Sequence, residues 1–205
     1  MPGYNGLYKI GKMCYNSPVR EVNDMESYDK KKVLLKSALK WVQTEFFGIF
    51  VFLFFVAVSK AFGAGANIMF GFTGLMTVVA IMNDFGLKEG KIAKEKAVLH
   101  GADVNKHFGL IMGLVAMIPG FVTMIVLVIS KVTGSFNFMP AYKLINAMFY
   151  PIIDGVAHSA DVADMHYWVI ALTVILPLLY PAAAWLGFKI SYDQIDVKER
   201  IVYKK

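Results

Sequence analysis

FGLIMGLVAMIPGFVTMIVLVIS, residues 108–130, runs for 23 residues without a charge. A helix rises about 1.5 Å per residue, so this stretch is long enough to cross a hydrocarbon core of about 30 Å. Within it, Gly109, Gly113, Ala116, Gly120 and Thr123 recur at i, i+4, i+7, i+11 and i+14. That spacing lays a stripe of small residues down one helical face, where a second helix can approach closely. The stripe predicts contact with span two of the same chain or with a neighbouring copy. Pro119 inside the run predicts a kink.

Three more runs share the absence of charge: Phe46–Ser59 for 14 residues, Ala61–Asn83 for 23 and Tyr167–Phe188 for 22. Hydrophobic residues make up 57% of the 205-residue chain, against about 45–50% in an average soluble domain. The expected fold is an all-α integral membrane protein with four transmembrane helices. Its expected divisions are a tail and juxtamembrane helix over 1–40, a four-helix membrane domain over 41–188 and a basic tail over 189–205.

Lysine and arginine set the expected orientation. The hydrophilic segments carry 8, 1, 5, 2 and 5 of them in chain order. This alternation is the positive-inside pattern for an even number of spans, with both termini in the cytoplasm of a cell-membrane protein. A fifth span over 132–153 is disfavoured. Pro140 and Pro151 leave only ten residues between them, about 15 Å of helix. The segment reads instead as a short outer-surface helix or a re-entrant piece.

The formal charge of +6 is no argument for nucleic acid, because the lysines flank spans and suit an anionic lipid surface better. Cys14 is the single cysteine, so an internal disulfide is excluded. Residues 1–40 contain no apolar signal-peptide core, and the first span is expected to anchor itself. From Asp29 the pattern turns helical, with Lys32, Lys36 and Lys40 on one face. Lys88–His100 reads as a separate short surface helix stopped by Gly101.

Few polar residues interrupt the runs. Glu45 lies about one turn inside span one and is either an intramembrane proton or cation site or a carboxylate reaching back to the interface. On span two, Asn67, Gly71, Gly74 and Val78 share a face, which suits helix packing or, for Asn67, a polar pathway. Pro177 and Pro181 interrupt span four and free carbonyls near mid-membrane.

One loop carries metal-type side chains. Asp154, His158, Asp161 and Asp164 would converge on one side if the segment were helical, a donor set for a divalent cation. The plainer reading is a solvated acidic surface. His107 and His166 start their spans on opposite sides and do not suit an axial haem pair. No hydrolase elbow or phosphate loop occurs, and no cofactor is expected beyond that possible cation. The expected role is a non-enzymatic subunit of a transport-type membrane assembly, held to a partner or to itself through the glycine faces. The alternative is a small homo-oligomeric channel or transporter with a cation-attracting outer vestibule.

Overall fold

The computed structural model describes residues 28–193. Cys14, the tail before Tyr28 and the basic tail after Asp193 lie outside them. Four helical stretches are long and apolar enough to cross a membrane, and no strand occurs among the described residues. The fold is the expected all-α membrane bundle.

α1 (Lys30–Phe62) begins at Asp29, whose carboxylate accepts the Lys32 N–H at 3.1 Å. This cap satisfies a backbone donor that the first helical turn leaves free. The juxtamembrane helix and span one are thus a single rod of 33 residues. Phe46, Phe50 and Phe54 point outward, as does most of the rod's apolar surface. α2 (Ala64–His100) starts almost at once. The turn between them is Gly63 alone, whose φ of +50° falls where a side chain would be strained.

α2 corrects the expectation of a separate helix over Lys88–His100. Nothing between Asn83 and Lys88 ends the helix, and Gly86 serves packing instead. Span two therefore continues for 37 residues, roughly 55 Å, well past a bilayer core. It ends at Gly101, in the left-handed conformation, as its sequence position suggested.

α3 (Phe108–Thr133) runs unbroken through Pro119. Span four is divided: α6 (Tyr167–Ile175) passes through a 3-10 turn at Leu176–Leu178 into α7 (Leu179–Tyr192). Pro177 sits in that turn and Pro181 in the first turn of α7. A missing N–H costs least in these places.

α7 is the centre of the bundle. A methyl group on Gly86 would stand 2.8 Å from the Phe188 nitrogen, and one on Gly113 would stand 2.8 Å from the Pro181 nitrogen. Gly90 likewise lies against the Phe188 backbone, Gly109 against the Phe188 ring, and Gly187 against Asn83. Gly109 and Gly113 of the α3 stripe therefore meet α7 of the same chain, while Gly120 and Thr123 lie against Asn146. The stripe does not meet α2, its first expected partner, because α7 occupies the space between them. Ser37 ties α1 to this core by donating its hydroxyl to the Met112 carbonyl.

Candidate functional site

The segment between α3 and α6 is re-entrant. α4 (Met139–Ile145) carries Pro140 in its first turn, and α5 (Tyr150–Ala157) carries Pro151 in its own. The prolines that argue against a fifth span thus start two short helices. Asn146 and the 3-10 turn Ala147–Phe149 join them at the tip of a hairpin. Ala147, Met148 and Phe149 are buried at 0–1% exposure, which excludes a helix lying on the surface.

Glycines admit the tip. A methyl group on Gly48 of α1 would stand 3.0 Å from the Met148 Cα, and one on Gly74 of α2 would collide with the Met148 carbonyl oxygen. Gly74 lies ten residues from the start of α2. The tip therefore reaches about 15 Å along that helix, near half the depth of a bilayer core. Further along the same face, Gly71 packs on Ile152 and Asn67 abuts Gly155. The polar and glycine face of span two serves the hairpin, not another span.

A polar cluster gathers around this tip. Glu45, only 8% exposed, accepts the Met148 N–H and the Tyr180 hydroxyl, each at 3.4 Å. It does not reach back to the interface. Among the described residues no Lys, Arg or His pairs with it. Its position at the start of the outbound limb places a negative group where free N–H groups collect. Asn146, also buried, donates to the Thr123 hydroxyl at 3.0 Å and to the Tyr142 carbonyl at 3.1 Å. Residues from α1, α3, α4 and α7 thus meet at one depth.

Cavities lie on both sides of the cluster. At the lysine-rich end a cavity of 360 Å³ is bounded by Lys36, Lys40, Gln43, Phe85, Lys88 and Glu89. At the opposite end one of 590 Å³ is bounded by Phe52, Asn67, Lys143, Tyr150, Asp154 and His158, among others. An adjoining one of 730 Å³ shares Asn67, Asp154 and His158 with it. Glu45 lines none of the three.

The proposed divalent-cation residues are not brought together. α5 ends at Ala157, and His158 takes φ +50° as its cap, so the helix on which their shared face depended stops there. Asp154 pairs with Lys143 at 2.7 Å. Asp161 caps the 3-10 turn Val162–Asp164 by accepting the Ala163 N–H at 2.9 Å, and Asp164 is exposed within that turn. Asn137 pins this loop, donating to the Ala160 carbonyl and accepting the Val162 N–H. Among the described residues no three His, Cys, Asp or Glu side chains gather as a ligand set.

Sequence reasoning missed Lys143, Asn146 and Gly48 as members of the site. The available signals were a lysine and an amide inside an otherwise apolar segment, and one glycine among the phenylalanines of span one. Comparison with family models, curated proteins and solved structures gives no match, and the functional reading rests on this geometry.

Proposed function

We propose that the chain is a small membrane transporter or channel for protons or monovalent cations, with Glu45 as the carboxylate they neutralise in passing. The observation that carries this reading is Glu45 itself, buried at the re-entrant tip with only weak neutral donors and, among the described residues, no cationic partner. An isolated carboxylate at that depth is expensive. A proton or a small cation offsets the cost, and exchanging it between the two sides is transport. A cavity lies toward each end of the bundle from Glu45, which lines neither. The lysine-rich end is placed in the cytoplasm of a cell membrane by the positive-inside pattern.

The test is flux in liposomes holding the purified chain and a trapped pH dye, with an imposed potassium diffusion potential and sodium or potassium as the alternative cation. Flux is expected from the wild-type chain. Glu45→Gln keeps the shape and an acceptor oxygen, and is expected to lower flux at least about tenfold at unchanged thermal stability, the amide replacing the carboxylate's modest hydrogen bonds. Equal flux from the variant refutes the role.

A second reading, a non-enzymatic subunit of a transport-type assembly, draws on the far end of α2. There Val98 is 69% and Leu99 72% exposed, an apolar surface beyond the span on which a partner protein would dock. The glycine faces no longer favour this reading, since they are occupied within the chain. Native mass spectrometry from gentle detergent separates the two: a co-purifying polypeptide supports the subunit, a homo-oligomer or monomer the transporter.

A further inference from the structure

The two cavities at the turn end meet at Asn67, Asp154 and His158, and their characters differ. The larger, 730 Å³, lies between α1, α2 and α5. Its lining is mostly apolar: Phe55, Ile68, Phe72, Leu75 and Ile152, with Gly71 adding no side chain. The smaller carries the polar groups, with Lys143 bound to Asp154. That pair leaves the shared mouth without net charge. Among the described residues, the Asn67 amide and the His158 imidazole have no hydrogen-bond partner in the protein. An apolar pocket of this size with a few convergent polar groups has the make-up of a ligand site.

We infer that this composite cavity binds a single-tailed lipid of the bilayer with an uncharged, hydrogen-bonding head, as in a monoacylglycerol. Its tail lies along Phe55, Phe72, Leu75 and Ile152, and its head receives hydrogen bonds from Asn67 and His158. A charged head fits less well, because the lysine and aspartate at the mouth already satisfy each other. A two-tailed lipid would leave one chain outside the groove. The site lies on α2 and α5 toward the turn, away from Glu45, and its existence does not depend on the transport reading.

The test uses a monoacylglycerol with a photoactivatable diazirine on its tail, added to the purified chain in phosphatidylcholine nanodiscs. Crosslinks are mapped by mass spectrometry, with unlabelled monoacylglycerol and unlabelled palmitate as competitors. Crosslinks are expected on residues 55–75 and 151–158, displaced by the monoacylglycerol much more readily than by the palmitate. Asn67→Leu removes the amide at similar volume and is expected to weaken binding about tenfold. Ile68→Trp fills the groove from an exposed position (74% exposed) and is expected to abolish these crosslinks. Leu114→Trp on α3 serves as a control outside the groove, and is expected to leave them unchanged. Labelling spread evenly over all four spans, or labelling of the groove unaltered by both Asn67→Leu and Ile68→Trp, overturns the inference, as does equal competition by palmitate.

Discussion

Glycine is used twice in this bundle, for opposite purposes. Around α7, Gly86, Gly90, Gly109 and Gly113 let three spans close on one another, and what comes close is mostly the backbone of a regular helix, at Pro181, Ala184 and Phe188. Around the re-entrant tip, Gly48 and Gly74 also remove side chains, but what enters is the backbone of a short turn at Met148, outside any regular helix. Irregular backbone at membrane depth survives only inside protein or beside water, because its N–H and C=O groups need partners. Glu45 and Asn146 arrive with the second pair of glycines and not with the first. A small residue therefore says only that something comes close.

The largest expected effect comes from breaking both regions in the same way. Gly113→Leu forces a side chain into the Pro181 backbone, and Gly74→Leu forces one into Met148. Neither backbone can give way like a flexible side chain, so each is expected to cost about 3 kcal/mol, the upper end for overpacking. Unfolding in mixed micelles measures that loss. The regions part company on flux: milder Gly→Ala changes that still fold are expected to impair it at position 74 and spare it at position 113. Equal flux from both would mean that the tip is merely another packing contact.

A smaller effect sharpens the polar side of the comparison. Asn146→Leu removes the amide that binds Thr123 and Tyr142. It leaves the half-buried Thr123 hydroxyl without its amide donor and the Tyr142 carbonyl with only the backbone N–H at position 146, at an expected cost of about 2 kcal/mol in the same unfolding measurement. A matching leucine on the α7 side has no polar partner to strand. The smallest effect lies outside both regions. Lys88 and Asp84 pair at 2.6 Å on the exposed surface of α2, and Lys88→Ala is expected to change stability by only about 0.3 kcal/mol, with the difference shrinking further in high salt.

Much of this arrangement was legible from spacing. The spans, the reversal near Gly63, the stop at Gly101 and the absence of a fifth span follow from charge-free lengths, glycines and prolines, which act locally. The stripe on α3 announced a close contact but not its partner, since any apolar helix face answers a glycine equally well. The Asp154, His158, Asp161 and Asp164 spacing does not become a shared helical face, for the converse reason. It is meaningful only on a continuous helix, and Lys143 and Asn137, from elsewhere in the chain, claim that segment for an ion pair and a pinned turn.

What the order of residues settles alone is therefore one-dimensional: how many helices are long enough to cross a bilayer, where each begins and stops, and which faces carry small or polar groups. Hydrophobic transfer and backbone geometry act residue by residue, and need no knowledge of neighbours. The depth of the hairpin tip, the burial of Glu45 and the merging of two cavities at Asn67 belong to the tertiary structure. Each depends on which helix occupies the space beside another, and that is decided by shape complementarity among segments distant in sequence.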